Sequence, residues 1–394
     1  MLGLAAAVLL LAVAVRRLTN ESAPPLLIDR TVAEYVRLPG SFPVLAWPSA
    51  GEAAIEVEGV GGAGSSGGHT PVPIASVAKI MTAYLTLAEH PLAGGQSGFV
   101  MTITPADVAE EQQRAALGES TIAVRAGEHI TERQALEALL LPSANNIAAL
   151  LATRERGGTR AFVAHMNTTA AALGMTSTTY TDPSGFDDTT VSTAADQLKL
   201  AAVAMREQAF ASIVAKPTVD LPLIGRVANL DGLVGRDGYV GIKTGSDRAA
   251  GGCLVFAKRV VVVGRRVTVL GAVLGQREGS LIEAALTSAR QLGDSAAAAL
   301  RSETALPAGT TVLRASAGGD RHTTAVTSSA LSEIGWGGLS VPVHLLLRPA
   351  MTHLSAGAEL ATVTLGSASR ASTDAVATHA VAGPSLAWRL RHAL

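Results

Sequence analysis

The chain has 394 residues, of which 48% are hydrophobic and 16% charged, a balance that excludes a disordered acidic or basic chain and leaves room for two globular domains. Its 31 lysines and arginines nearly cancel its 32 aspartates and glutamates, so there is no net positive field and nucleic acid is not expected as a partner. The single cysteine, Cys253, excludes an internal disulfide and a thiolate metal site.

An unbroken apolar run from residue 2 to 15 opens the chain and is followed by Arg16 and Arg17. The run is shorter than the ~20 residues of a membrane-spanning helix, and no clear cleavage site follows it. We interpret residues 1–20 as an apolar signal or membrane-anchor segment whose leading charges are missing. This predicts export to the extracytoplasmic face of the cell membrane or the cell wall, with membrane association through the N-terminus. The alternative is an ordinary N-terminal core helix.

Helical stretches and loops alternate from Ile74 to about residue 240. Short apolar runs split by glycine-containing turns follow and predict an antiparallel meander over residues 240–243, 252–257, 260–263 and 266–273. A closing helix is predicted over residues 280–300, and residues 307–380 are rich in Thr, Ser and Val with period-two stretches. Because helices and strands are segregated, we predict the α+β class. Residues 21–303 are predicted to form one domain and residues 304–394 a small β-rich domain.

The first candidate for chemistry is Ser76-Val77-Ala78-Lys79, at the start of an apolar helix. Residues i and i+3 share a helix face, so the Ser76 hydroxyl and the Lys79 amine can meet. A lysine on a buried helix loses hydration in its charged form, which lowers its pKa and allows it to act as a general base. The alternative is a helix-capping serine followed by a lysine whose ammonium group reaches solvent.

The second candidate is Ser143-Ala144-Asn145. Thr131 and Gln134 form a capping box for a helix that is predicted to run through Leu141. Ser143 and Asn145 then lie on a short connection before the next helix, where polar side chains can face a cleft. The alternative is that both residues cap the next helix.

The third candidate is Lys243-Thr244-Gly245, at the end of a predicted strand. The lysine and threonine offer a cation and a hydroxyl to an anionic group, and the missing Cβ of Gly245 lets another backbone come close. The alternative is a strand end before a glycine turn.

In this order the three motifs resemble those of the penicillin-recognising serine acyltransferases. Their separations, 67 residues from Ser76 to Ser143 and 100 from Ser143 to Lys243, suit the low-molecular-mass penicillin-binding proteins, the serine D-alanyl-D-alanine carboxypeptidases. Asp182-Pro183-Ser184-Gly185-Phe186 and Gly241-Ile242 before the third motif are also similar. Two residues, Asn146 and Val240, depart from aspartates that are common in the family.

The resemblance implies a transpeptidase fold: an antiparallel sheet flanked by helices, an all-helical subdomain and a small C-terminal β domain. It also implies a peptidoglycan stem peptide ending in D-Ala-D-Ala as substrate and β-lactam antibiotics as covalent inhibitors. In the implied mechanism Ser76 attacks the carbonyl of the penultimate D-alanine, and Lys79 takes its proton. Ser143 relays a proton to the leaving nitrogen.

The remaining site residues are implied to bind the substrate. Asn145 would hold the substrate amide. Lys243 and Thr244, followed by Gly245, would bind the terminal carboxylate while the peptide lies along the strand. Backbone N–H groups of Ser76 and Ser246 would form the oxyanion hole.

Two other functions stay open. A class A β-lactamase shares the three motifs but adds a glutamate in an E-x-x-L-N sequence. Between Asn146 and Lys243 the only glutamates are Glu155 and Glu207, and neither begins such a sequence. A catalytically idle wall-binding or penicillin-sensing protein would not need both a nucleophile and a base. The histidines show no metal-ligand spacing, so no metal or other cofactor is expected.

Overall fold

The computed structural model describes residues 26–60, 64–156, 158–316, 321–349, 351–366 and 371–382. The predicted N-terminal signal or anchor segment lies outside these residues. Among the described helices, none combines the length and apolar character that a membrane span requires.

Eight α-helices form in the described residues, and a 3-10 turn at Ala75–Ala78 precedes the first. They are α1 Lys79–Glu89, α2 Pro105–Ala116, α3 Glu132–Leu140, α4 Asn145–Arg156, α5 Thr159–Ala172, α6 Ala194–Ala204, α7 Gln208–Val214 and α8 Leu281–Ala299.

Twenty strands form in the same residues. They are β1 Leu27–Arg30, β2 Tyr35–Arg37, β3 Glu52–Val57, β4 Ser65–Ser66, β5 Val72–Pro73, β6 Val100–Thr102, β7 His129–Thr131, β8 Val191–Ser192, β9 Thr218–Leu221, β10 Gly225–Ala228, β11 Tyr239–Asp247, β12 Gly251–Val262, β13 Arg265–Gln276, β14 Arg301–Leu306, β15 Thr311–Ser316, β16 His322–Thr327, β17 Leu331–Gly335, β18 Ser340–Leu347, β19 Glu359–Leu365 and β20 Ser372–Ala377.

The larger of two compact units contains residues 43–58 and 64–301. Its main sheet is antiparallel, in the order β4-β3-β13-β12-β11, so β11 is an edge strand. Helix α8 packs against β12 and β13, and α6 packs against β13 and β3. The sequence segregates helices from strands in this way, and the predicted α+β class is confirmed.

The predicted meander is confirmed, with one difference. The runs at residues 252–257 and 260–262 form the single strand β12, and Val263 lies in the turn after it. Lys258 and Arg259 between them stay in register, opposite Val269 and Thr268 of β13. No glycine or proline interrupts the pairing there, so the two charged residues do not end the strand.

Helices α1, α3 and α4 form the apolar interior that supports the site. Residues of α1 from Lys79 to Leu87 are almost all buried, as its apolar sequence predicts. Helix α3 begins with the predicted capping box of Thr131 and Gln134. Helix α4 begins at Asn145, two residues before the predicted start near Ile147.

The smaller unit contains residues 26–42, 59–60 and the described residues from 302 onward. Its seven-stranded sheet has the order β1-β15-β16-β20-β19-β18-β2. Strands β1 and β2 were predicted to lie in the peptidase domain, but they form the edges of this sheet. With four and three residues, they are too short for their sequence pattern to indicate a partner.

A two-residue turn, Val263-Gly264, joins β12 to β13, and Val262 pairs with Arg265 across it. Both turn residues have a positive φ, +48° at Val263 and +73° at Gly264, as in a type I′ turn. This conformation suits Asn-Gly and is strained for a β-branched residue.

The Val263→Asn substitution is therefore expected to stabilise the protein by about 1 kcal/mol, since the valine is solvent-exposed and its loss removes little packing. Thermal unfolding by circular dichroism measures the change. Val261→Asn, at an exposed position within β12, is the matched control and should give no gain. A lower unfolding midpoint for Val263→Asn would contradict the assignment of the turn.

Candidate active site

The nucleophile candidate Ser76 lies on the 3-10 turn directly before α1 and is half-buried, so a substrate can reach it. The preceding residue, Ala75, has φ +46°, an uncommon value for a residue with a side chain. Gly185 covers this turn: a Cβ on Gly185 would lie 1.8 Å from the Ala75 carbonyl oxygen. The loop of the Asp182–Phe186 signature therefore packs tightly behind Ser76 and fixes its position.

The base candidate Lys79 is fully buried, and its Nζ lies 2.7 Å from Ser76 Oγ. The amine also donates a hydrogen bond to the Ser184 carbonyl at 2.9 Å. Burial first, and then the nearby Lys243 cation, hold the pKa of Lys79 well below its ordinary value. This favours the neutral amine, the form that accepts the serine proton.

Ser143 lies on the connection between α3 and α4, as predicted, but Asn145 is already the first residue of α4. Ser143 has φ +69°, and its buried Oγ has no hydrogen-bond partner among the described residues. Asn145 is 3% exposed, and its Nδ2 donates to Glu119 Oε2 at 2.7 Å. Its Oδ1 is buried and has no partner in the described part of the chain. An unpaired buried polar atom is costly, and among the described residues these two oxygens are unsatisfied hydrogen-bonding groups within the second motif.

The departure at Asn146 has a structural reason. Its side-chain oxygen accepts from the Ile122 backbone N–H at 3.2 Å, and its Nδ2 donates to the Ile122 carbonyl at 3.0 Å. An ionised aspartate cannot make the second bond, because it has no donor.

The third motif lies on the edge strand β11. Lys243 is 1% exposed, and burial lowers its pKa to about 7, against the opposing effect of the Asp231 carboxylate. Its Nζ donates to the Thr244 carbonyl at 2.9 Å. A Cβ on Gly245 would lie 3.0 Å from the backbone nitrogens of Ser76 and Val77. Glycine thus lets this strand approach the turn that carries Ser76, and Ser246 follows, partly accessible.

The structure therefore brings the first and third motifs into contact, and the second motif is hydrogen-bonded to Glu119. Glu119 and Asp182 both act electrostatically on Lys79. Sequence reasoning gave no role to these two acids or to Asp231. Asp182 lies within a signature that was singled out, but Glu119 and Asp231 carry no such signal.

A cavity of about 170 Å³ opens beside Asn145 and is also lined by Arg114, Thr159 and Phe186. The described residues contain no cluster of three or more His, Cys, Asp or Glu side chains placed to hold a metal ion.

Residues 64–276 match the profile of peptidase family S11, D-alanyl-D-alanine carboxypeptidase. The chain belongs to this family. The part of the S11 peptidase that matches contains all three motifs, as the sequence resemblance predicted.

Individual relatives are similar over shorter stretches. The D-alanyl-D-alanine carboxypeptidase DacB2 of Mycobacterium tuberculosis is 37% identical over 185 residues, covering 45% of this chain and 59% of the relative. The D-alanyl-D-alanine endopeptidase of Escherichia coli is 32% identical over 196 residues, covering 47% and 58%. The chain thus spans less than two thirds of the length of either relative.

Two solved structures have a fold similar to that of this chain. The Streptomyces K15 DD-transpeptidase is 27% identical, with a TM-score of 0.55, and the match covers 65% of this chain and 98% of that one. Penicillin-binding protein 5 of Haemophilus influenzae gives a TM-score of 0.61 over 87% of this chain and 100% of that chain, at 17% identity. The predicted penicillin-binding fold is confirmed.

Proposed function

We propose that this S11 peptidase is a serine D-Ala-D-Ala carboxypeptidase, which removes the terminal D-alanine of peptidoglycan stem peptides through an acyl-enzyme on Ser76. The observation that supports this best is the buried Lys79 amine 2.7 Å from Ser76 Oγ. A nucleophile within hydrogen-bond distance of a base with a lowered pKa is the arrangement that covalent acyl transfer requires.

In the acylation step the neutral Lys79 amine takes the proton from Ser76 while Oγ bonds to the carbonyl carbon of the penultimate D-alanine. The backbone N–H groups of Ser76 and Ser246 stabilise the oxyanion. Ser143 relays the proton that Lys79 took from Ser76 to the leaving nitrogen as the C–N bond breaks, so D-alanine departs and both side chains return to their starting protonation states. Water then hydrolyses the ester.

The substrate lies along the free edge of β11 in this proposal. Lys243 and Thr244 bind its terminal carboxylate, and Asn145 holds a substrate amide. A β-lactam presents an acyl group and a carboxylate in the same relation and therefore acylates Ser76. We further propose that the enzyme acts outside the cytoplasm, because its substrate is a wall polymer, and that its N-terminal segment associates with the membrane.

Two measurements on the wild-type protein test this function. The protein should release D-alanine from a peptide ending in D-Ala-D-Ala, and mass spectrometry after digestion should detect a labelled penicillin on the peptide containing Ser76. The adduct should outlast many turnovers of a β-lactamase. Rapid repeated hydrolysis of penicillin would favour a β-lactamase, and labelling without D-alanine release would favour a penicillin-sensing protein.

Binding of the terminal carboxylate is expected to weaken above about pH 7, by up to tenfold per pH unit, because Lys243 has a pKa of about 7. Below that value Lys243 is an ammonium ion that pairs with the carboxylate, and above it the neutral amine cannot. The measurement is the Kd of a D-Ala-D-Ala peptide for the Ser76→Ala protein between about pH 6 and 9. The same peptide with an amidated C-terminus is the control, and a pH-independent Kd for the acid would contradict the role of Lys243.

A further inference from the structure

Glu119 lies in a loop before α3 and is held on two sides. Its side chain is 3% exposed, and it forms an ion pair with Arg114, whose Nη1 lies 3.0 Å from Oε2. The same oxygen accepts from Asn145 Nδ2 at 2.7 Å. Arg114 is itself fixed by Glu110, which lies one turn earlier on α2 and is 46% exposed. A buried carboxylate with a charge partner thus contacts a residue of the second motif.

The bond to Glu119 decides which way the Asn145 amide faces. An ionised carboxylate only accepts hydrogen bonds, so the atom of Asn145 that touches it must be the NH2 group. The amide oxygen is thereby turned to the opposite side, where it is buried without a partner among the described residues. Without Glu119, nothing in these contacts would keep the amide from rotating by 180°.

The backbone of the loop is tied to the start of α4 as well. The Asn145 N–H donates to the Ser120 carbonyl at 2.7 Å. Thr121 Oγ1 donates to Glu111 on α2 at 2.8 Å. Glu119 is therefore held at a defined distance from Asn145, which a positioning role requires.

We propose that Glu119 is a positioning residue for acyl transfer: held by Arg114, it locks the side-chain amide of Asn145 in one orientation, with Nδ2 toward Glu119 and Oδ1 away from it. The proposal rests on the proposed function at Ser76.

Glu119 also contributes charge to the site. The groups acting on the Lys79 amine are the cations Lys243 and Arg114, which lower its pKa, and the anions Asp182 and Glu119, which raise it, while Ser76 and Ser184 contact it directly. Removing the negative charge of Glu119 should lower the pKa of Lys79. The acidic limb of the pH–rate profile for acylation should then move to lower pH.

The test compares three variants by the second-order rate of acylation with a labelled penicillin and by the lifetime of the adduct. Glu119→Ala removes both the bond to Asn145 and the charge, and should slow acylation about ten- to a hundredfold. Glu119→Gln keeps an acceptor for Nδ2, so it should lose less than Glu119→Ala while still shifting the acidic limb. Glu110→Gln removes the charge of the other partner of Arg114 without touching Asn145, and should acylate within about twofold of wild type. Adduct lifetimes should be unchanged in all three.

Acylation of Glu119→Ala and Glu119→Gln at the wild-type rate would overturn the proposal. So would wild-type acylation with a greatly lengthened adduct lifetime, because that result would make Glu119 the base for hydrolysis. An equal loss in Glu110→Gln would assign the effect to Arg114 and α2, and would also overturn it. Circular dichroism checks that each variant is folded. If Glu119→Ala is not folded, Glu119→Gln alone tests the proposal. Failure of the wild-type protein itself to acylate would reject the function at Ser76, which separates the two claims.

Discussion

The Lys79→Arg protein is expected to react with a labelled penicillin roughly 10²–10⁴-fold more slowly than the wild-type protein. Arginine has a similar length, but its guanidinium stays charged and does not lose a proton in proteins. It therefore cannot accept the proton of Ser76, whose Oγ lies 2.7 Å from the wild-type amine. Rapid-mixing kinetics followed by mass spectrometry measure the rate.

Ser76→Ala is the matched control, because it leaves Lys79 in place and removes only the acceptor of the acyl group. It should form no adduct and so defines the background of the assay. Thermal unfolding shows whether the fully buried position tolerates arginine. If a folded Lys79→Arg protein acylates as fast as the wild type, Lys79 is not the base.

Loss of the Lys243 cation is the second large effect. A charge-assisted hydrogen bond contributes about 1.5–3 kcal/mol, so Lys243→Ala should lower kcat/KM for a D-Ala-D-Ala peptide by about ten- to a hundredfold or more. Amidating the C-terminus of the peptide removes the same charge from the other side. The two changes should be non-additive, with the amide losing little further activity on the variant.

Lys258→Ala is the control for this comparison of a protein substitution with amidation of the peptide. Lys258 is a buried lysine on the adjacent strand β12, and its Nζ lies 2.7 Å from Asp294 and not in the site. It should leave the preference for acid over amide substrates unchanged. If the effects of Lys243→Ala and amidation add fully, Lys243 does not contact the carboxylate, and the third motif is only a strand end.

The parts of the site that the sequence predicted are those determined by local geometry. Ser76 and Lys79 are three residues apart, and helical geometry alone brings them together. The capping box at Thr131 fixes where α3 begins and hence where the connection carrying Ser143 lies. In each case residues close in the chain are also close in space.

What the sequence did not predict depends on contacts between distant residues. Glu119 is 26 residues from Asn145, and their hydrogen bond follows from the way a loop lies across α4. Asp231 reaches Lys243 only because both are buried in the same region. No periodicity or spacing identifies such pairs, since nothing local distinguishes these acids from surface carboxylates.

Strand length limited the prediction of the fold in the same way. The meander from β11 to β13 has nine- and twelve-residue strands whose apolar runs are clear in the sequence. The strands β1 and β2 are too short for such a pattern. Their partners were therefore found only in the structure, and the segment before residue 43 was assigned to the other domain.

The pairing of β1 with β15 has a consequence for the order in which the protein forms. Leu27 lies opposite Ser316, so this ladder closes a loop that includes every residue of the larger unit. A ribosome releases residues 43–301 before it releases β15, and domains generally fold as units during synthesis. The larger unit can thus be folded before β15 and β18, the partner strands of β1 and β2, have been synthesised. Contacts of such long sequence separation form slowly, so the pairing of β1 with β15 is expected to form after the larger unit.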